Sequence, residues 1–260
     1  MNITWLDLVR WIWQHGQKRP EFRHFAAERA TSLGEPVPPN IPYWKQRLAP
    51  LSELKNGLTS VPTQFLVREN PPLVYVRIPK TASTAVLSIL LPQLTQQDQP
   101  LTDDALEAQA YTLFQSKLSG AQRRYPKIAV VRHPVDRLLS VYKSYFGPEN
   151  LPFLYSHHLW GIFRPDMSLE QVVTTLEHIP DRFRDAHFMS QTRLLGGKEN
   201  SKKTLKYRLE ELKPNQIIPE LGAALPYRNV GTSREEPISS ALRKRIERLY
   251  AEDMAELGYN

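Results

Sequence analysis

The amino-acid sequence predicts an α/β fold, in which helices flank a parallel β-sheet. Two segments, residues 73–87 and 128–142, each combine a short apolar strand, a polar turn and the first turns of a helix. A helical pattern over residues 103–118 lies between them and fits the crossover that two parallel strands require. The 260 residues, of which 41% are hydrophobic, suffice for one sizeable core, so we expect a single domain over residues 1–260.

The first 65 residues are expected to form a helix followed by a proline-rich arm. Residues 1–13 place Ile3, Leu6 and Val9 near one helical face, which predicts a helix packed on the domain surface. Its three tryptophans keep a helix lying on a membrane surface as the alternative. Residues 34–42 are rich in proline and cannot form a regular helix, so they are interpreted as a connector.

The first strand of the sheet is predicted at residues 74–78, where β-branched and aromatic residues alternate until Pro79 ends the run. The loop that follows begins with Lys80 and continues with the small residues Thr81, Ala82, Ser83 and Thr84. Such a loop aims backbone N–H groups and a helix N-terminus at an anion, and the lysine adds positive charge. No glycine precedes the lysine as in GxxxxGK[ST], so the pattern favours a phosphate or sulfate site over a triphosphate cradle with magnesium.

The second segment repeats this plan. Residues 128–131 form an apolar run, and Pro134 fits the first turn of the next helix. Arg132 at the strand end and Ser140 on that helix can bind a second phosphate, or they can form a helix-cap salt bridge and a buried hydroxyl. Arg137 is interpreted as a structural partner of the same turn. Further helices are predicted over residues 169–176 and 242–257, which completes the α/β pattern.

The two loops resemble the phosphate-binding motifs of the membrane-type carbohydrate sulfotransferases, which use 3′-phosphoadenosine 5′-phosphosulfate (PAPS). Residues 79–84 are similar to their 5′-phosphosulfate loop, also found in the heparan sulfate 2-O-sulfotransferases, and residues 131–140 resemble their 3′-phosphate motif. Residues 183–191 are similar to an acidic-x-His-aromatic-x-x-Gln pattern of the chondroitin and HNK-1 type branch. The C-terminal signature of that branch resembles residues 227–233 and 249–259.

This resemblance implies a P-loop-like sulfotransferase fold and transfer of the sulfuryl group from PAPS to a hydroxyl of a carbohydrate or glycoconjugate, without a metal. It implies that the 5′-phosphosulfate is bound by Lys80, Thr81, Ala82, Ser83 and Thr84, and that the 3′-phosphate is bound by Arg132 and Ser140. Thr232 and Ser233 lie in a glycine-containing loop that can close over the nucleotide or can be an ordinary turn before the last helix.

Two catalytic residues are predicted. Lys80 is the candidate for stabilising the bridging oxygen as the sulfuryl group leaves. His187 is the candidate for the base, because a histidine with a pKa near neutrality suits the deprotonation of a sugar hydroxyl. The alternatives are His157, His158 and Asp185. The heparan-type enzymes place their catalytic histidine between the two phosphate motifs, whereas here no histidine lies in that interval.

Composition limits the other functions. The formal net charge of +7 favours an anionic partner: a nucleotide, an acidic glycan or nucleic acid, of which we expect the first two. The chain has no cysteine, which excludes disulfides, thiol nucleophiles and cysteine-ligated metals. The apolar N-terminal stretch is interrupted by Asp7 and Arg10 and is too short to cross a bilayer, so we expect a cytoplasmic, bacterial enzyme. The alternative functions are a nucleotide-dependent kinase and a non-catalytic polyanion-binding protein.

Overall fold

The computed structural model describes residues 63–95, 101–146, 163, 167–226 and 238–259. The chain divides into two compact units. We call one the sheet unit, which comprises Val61–Arg137 and Ser190–Asn260, and we call the other the helical unit, whose described residues lie within Leu138–Met189. The predicted N-terminal helix and proline-rich connector lie outside the described residues.

The sheet unit contains a four-stranded mixed sheet with the strand order β1–β2–β3–β4. Its strands are β1 (Gln64–Glu69), β2 (Pro72–Arg77), β3 (Lys127–Val131) and β4 (Leu205–Arg208). The pairs β2–β3 and β3–β4 are parallel, which confirms the predicted α/β class. The pair β1–β2 is antiparallel, because only Asn70 and Pro71 connect these strands and a tight turn cannot join parallel neighbours. A separate antiparallel pair consists of β5 (Ile217–Ile218) and β6 (Ala223–Ala224).

Helices follow the strands in the order that an α/β fold requires. They are α1 (Ser83–Thr95), α2 (Asp103–Leu113), α3 (Pro134–Tyr145), α4 (Leu169–Glu177), α5 (Gln191–Leu194), α6 (Lys198–Lys202), α7 (Ser240–Leu249) and α8 (Ala251–Leu257). The first turn of α3 belongs to the sheet unit and its later residues belong to the helical unit.

Two of the predicted helices have different ends in the structure. The helix predicted over residues 103–118 ends at Leu113, because the backbone of Gln115 instead exchanges two hydrogen bonds of 2.9 Å with Phe65 at the edge of β1. The helix predicted over residues 242–257 is divided into α7 and α8 at Tyr250, whose φ of −116° and ψ of 32° are not helical. The wrong predictions therefore concern where the helices end.

One core joins the sheet to α1 and α2. Apolar residues of α1 and α2 pack against the buried residues of β2 and β3 in a cluster that includes Leu87, Leu90, Leu106, Ile128 and Val130. Each of these five side chains is at most 2% exposed. Burial of large apolar side chains contributes roughly 1.5–3 kcal/mol each, so this core fixes the two central strands. Because β2 and β3 are parallel neighbours, their carboxyl ends meet at the same edge of the sheet.

The helical unit has an aromatic core of its own. The ring of Phe163 packs against Phe146 at a centroid distance of 5.8 Å and against Phe188 at 4.8 Å. Arg184 is 8% exposed, and its guanidinium donates to the Ile179 carbonyl at 2.9 Å and to the Leu176 carbonyl at 3.2 Å. One of the last carbonyls of α4, that of Leu176, thereby gains a side-chain donor, and Arg184 is held against the end of that helix.

Candidate functional site

The loop after β2 is a tight turn in which two residues other than glycine have left-handed backbone angles. The φ of Lys80 is 67° and the φ of Ala82 is 62°. This conformation costs roughly 1–2 kcal/mol for a residue with a β-carbon. The side chain of Thr81, between them, is 0% exposed and its hydroxyl donates to the Ile78 carbonyl at 2.9 Å. The sequence thus folds into a strained turn that is tied to the strand end by its own threonine.

Helix α1 begins directly after this turn, with Ser83 as its first residue. Its first turn contains no acidic side chain, so the positive end of the helix dipole is not balanced from within α1. Ser83 is 7% exposed, and the Thr84 hydroxyl donates to Glu107 Oε1 at 3.4 Å. Such a helix start offers N–H groups and positive potential to an anion.

Arg132 follows β3 at the same edge of the sheet. Its Nη1 lies 3.5 Å from the carbonyl oxygen of Lys80, so the second loop reaches the first. Burial lowers the pKa of the Lys80 ammonium, and the positive charges of Arg77 and Arg132 lower that pKa further, while Glu107 opposes them. The sheet unit therefore concentrates three cationic side chains at one edge of the sheet.

Glu107 and Arg77 were not singled out by the sequence analysis. Arg77 ends β2, and its Nη2 donates to Glu107 Oε2 on α2 at 2.7 Å. Its guanidinium also lies 5.3 Å from the ring centroid of Tyr111. The sequence alone does not indicate that Glu107 belongs to the site, because Asp103 lies in the same helix and has the same charge. Only the tertiary contacts distinguish the two residues.

The backbone of Arg132 is held by a buried glutamine. Gln191 Oε1 accepts from the Arg132 N–H at 2.9 Å, and Gln191 Nε2 donates to the Arg132 carbonyl at 2.7 Å. Asp253 in turn accepts from the backbone N–H groups of Gln191 at 2.7 Å and of Thr192 at 2.8 Å. Gln191 and Asp253 are each 0% exposed. Arg137, 2% exposed, donates from Nε to the Pro79 carbonyl at 2.9 Å, so this side-chain contact is with the first loop and not within its own turn.

His187 lies in the helical unit and is paired with a carboxylate. Asp185 Oδ1 lies 2.7 Å from His187 Nδ1 and accepts from the His187 backbone N–H at 2.9 Å. The imidazole also packs edge to face against Tyr145, at a centroid distance of 5.1 Å. When Nδ1 donates its proton to Asp185, Nε2 is the unprotonated ring nitrogen, which is the one that can accept a proton. Asp185, a rival candidate for the base, is thus the hydrogen-bond partner of His187.

The other predicted site residues have different placements. Ser140 is half-buried on α3 in the helical unit, and its carbonyl accepts from the Ser144 hydroxyl at 2.9 Å. Thr232, Ser233, His157 and His158 lie outside the described residues. The residues 80–84 and Arg132 thus lie together in the sheet unit. Ser140 and His187 belong to the helical unit, and their contacts given above are with residues of that unit.

Two further kinds of feature are absent from the described residues. No group of three or more His, Cys, Asp or Glu side chains in that part of the chain could hold a metal ion. Among the described helices, none combines the length and the apolar character needed to cross a membrane.

Comparison with known proteins identifies the family. A family model described as the sulfotransferase family matches residues 63–260, which is more than half of the chain. Neither a search of curated proteins nor a search of solved structures gave a match. The matched region begins with β1 and includes the Lys80 loop, the Arg132 turn, Gln191 and the Asp185–His187 pair. The chain therefore belongs to the sulfotransferase family.

Proposed function

We propose that this protein transfers the sulfuryl group of PAPS to a hydroxyl of a carbohydrate or glycoconjugate. Membership of the sulfotransferase family supports sulfuryl transfer, and the donor and the acceptor class are the proposal. The observation that carries it is the approach of Arg132 to the Lys80 loop at the start of α1. Like charges repel, so holding two cations together costs free energy that a doubly anionic ligand can offset.

The proposed donor fits the residues at this edge of the sheet. The 5′-phosphosulfate lies against the P-loop-like turn formed by Lys80, Thr81, Ala82, Ser83 and Thr84. The 3′-phosphate is assigned to Arg132 and Ser140. Thr232 and Ser233, which lie outside the described residues, are proposed as further nucleotide-binding residues. The left-handed turn and a helix start without an acidic side chain of its own support this assignment, because both are features of anion-binding loops.

The proposed reaction is an in-line displacement at sulfur. The acceptor oxygen forms a bond to sulfur while the bond between sulfur and the bridging oxygen of the 5′-phosphate breaks. The acceptor proton moves to His187 Nε2, and the Lys80 ammonium stabilises the negative charge that develops on the leaving phosphate. Because no covalent enzyme intermediate forms, positioning and electrostatic stabilisation supply most of the catalysis, as in phosphoryl transfer.

Within the proposed class of carbohydrates and glycoconjugates, the charge of the protein favours an anionic acceptor. The formal net charge of +7 favours an acidic glycan over a cationic substrate and steers anions toward the protein. A cytoplasmic location stays a prediction of the sequence, and a peripheral membrane contact through residues 1–13 stays the alternative to a helix packed on the domain surface.

Calorimetric titration with the product nucleotide, 3′-phosphoadenosine 5′-phosphate (PAP), tests the donor assignment, with ADP and ATP as controls that lack the 3′-phosphate. We expect tight binding of PAP and weak binding of both controls. Arg132→Ala should chiefly weaken PAP binding, whereas Lys80→Ala should abolish transfer. Equal binding of the three nucleotides would contradict the proposal. ATP-dependent phosphorylation would identify a kinase instead, and salt-dependent polymer binding without nucleotide selectivity would identify a polyanion-binding protein.

A further inference from the structure

The side chain of Gln191 makes the hydrogen bonds to the Arg132 backbone that a neighbouring strand would make. The parallel pairing of β3 with β4 ends at the partners Val131 and Arg208, so Arg132 is the first residue beyond the ladder. Its N–H and C=O are both bonded by the side-chain amide of Gln191, which is 59 residues away in the chain. One buried side chain thus continues the sheet by one residue and fixes the backbone from which the Arg132 guanidinium extends.

The side-chain amide of Gln191 satisfies both backbone groups at once. The Arg132 N–H requires an acceptor and the Arg132 carbonyl requires a donor, and an amide carries one of each. The orientation of the Gln191 amide is fixed for the same reason, because a flipped amide would place donor against donor. An apolar side chain of similar length offers neither group and would leave both backbone atoms without these partners.

Gln191 is itself anchored by a buried carboxylate. Asp253 on α8 accepts from the N–H groups of Gln191 and Thr192, the first residues of α5. Burial raises the pKa of Asp253, and these two N–H bonds and the positive charge of Arg137 oppose that rise. Arg137 is bonded to the Pro79 carbonyl in the turn before Lys80. The same buried cluster therefore contacts the backbone of both anion-binding loops.

We propose that Gln191 is a positioning residue that holds the Arg132 turn in the geometry required to bind the 3′-phosphate of the nucleotide. This inference rests on the proposed function, since it assigns the 3′-phosphate to Arg132. Gln191 acts through Arg132 and does not touch the nucleotide. Its loss reduces discrimination for the 3′-phosphate and leaves the binding of a nucleotide that lacks this group unchanged.

The test compares the affinities of PAP and adenosine 5′-phosphate (AMP), which differ only in the 3′-phosphate. In Gln191→Met we expect the affinity for PAP to fall about tenfold and the affinity for AMP to stay within about twofold. The matched control is Gln216→Met, which makes the same substitution at an exposed position of the sheet unit and should leave both affinities unchanged. Gln191→Glu, which retains the size and one acceptor, should act in the same direction and replaces the methionine variant if that one fails to fold.

A double-mutant cycle with Arg132→Ala separates positioning from a general structural effect. If Gln191 acts through Arg132, adding Gln191→Met to Arg132→Ala causes no further loss of PAP affinity. An undiminished loss in that background, or an equal loss of AMP affinity, would overturn the inference. Wild-type protein that fails to distinguish PAP from AMP would instead refute the proposed function. The two failures are therefore distinguishable in one set of titrations.

Discussion

Arg77 and Glu107 form an ion pair of 2.7 Å where β2 ends, with side-chain exposures of 7% and 27%. The same carboxylate accepts from the Thr84 hydroxyl at 3.4 Å in the first turn of α1. Its negative charge also raises the pKa of Lys80 against the effect of burial. Glu107 thus balances two cations and contacts the helix start, so it links the stability of the sheet edge to the charge state of Lys80.

Glu107→Ala is expected to destabilise the protein by about 2 kcal/mol, because it leaves the buried Arg77 guanidinium without this partner. Glu107→Gln keeps an oxygen acceptor for Arg77 and should cost less, about 1 kcal/mol. Urea unfolding of the two variants measures both effects. Glu252→Ala, at an exposed position of α8, is the control and should change the stability by less than about 0.5 kcal/mol. Equal stability of Glu107→Ala and wild type would show that the ion pair contributes nothing.

The lowered pKa of Lys80 predicts an alkaline limb in the pH profile of transfer. The proposed role requires the charged ammonium, so the rate should fall as the pH rises through a pKa that lies below the usual 10.5. Glu107→Gln removes a charge that raises this pKa, so the limb should move to lower pH in that variant. Rates measured across the alkaline range with saturating PAPS provide the comparison. An alkaline limb at the same pH in Glu107→Gln and wild type would show that a group other than Lys80 causes it.

The lowered pKa of Lys80 also makes the free energy of unfolding depend on pH. Between the lowered native pKa and the unfolded value near 10.5, the unfolded chain binds more protons than the native protein, so Lys80 makes stability rise with pH in this window. Below the window, the buried charge costs stability. Lys80→Ala should lower the slope of stability against pH in this window, whereas Lys117→Ala, at an exposed position, should leave the slope unchanged. Urea unfolding at several alkaline pH values measures the slope for each variant.

The sequence was sufficient to predict the part of the site that depends on local patterns. The apolar runs of β2 and β3 and the polar turns after them place Lys80 and Arg132 at strand ends. Parallel pairing then brings them to one edge, as Arg132 Nη1 at 3.5 Å from the Lys80 carbonyl shows. These inferences succeeded because each used residues that are adjacent in the chain and a general rule of sheet topology.

The contacts that position the candidate site join residues that are far apart in the chain, and hydrophobic periodicity does not predict such contacts. Gln191 bonds Arg132 across 59 residues, and its own backbone bonds Asp253 across 62. Strand β4 was not predicted, since Leu205 is 48% exposed and the strand lacks the apolar run of a buried one. Buried polar side chains and half-exposed strands carry little local signal, so only the tertiary structure shows which polar residues position the loops.

The left-handed turn predicts that glycine stabilises the protein at one loop position. Ala82 has a φ of 62°, where a β-carbon is unfavourable and glycine is not. Ala82→Gly should therefore raise the free energy of unfolding by up to about 1 kcal/mol. Ala108→Gly, at an exposed position inside α2, is the matched control and should lower it by about 1 kcal/mol. Thermal unfolding of both variants decides the sign, and a loss of stability in Ala82→Gly would contradict the strain assigned to this turn.

If His187 is the base, substitution of His187 should lower transfer activity more than substitution of its partner Asp185. His187→Gln removes the proton acceptor and should lower kcat by about 100-fold or more. Asp185→Asn leaves the imidazole in place but removes the carboxylate that lies 2.7 Å from Nδ1, so it should lower kcat by a smaller factor, about tenfold. His178→Gln is the control, because His178 is an exposed histidine at the end of α4 whose Nδ1 lies 2.7 Å from the Thr174 carbonyl. Full activity in His187→Gln with unchanged PAP binding would transfer the role of base to another residue and leave the donor site intact.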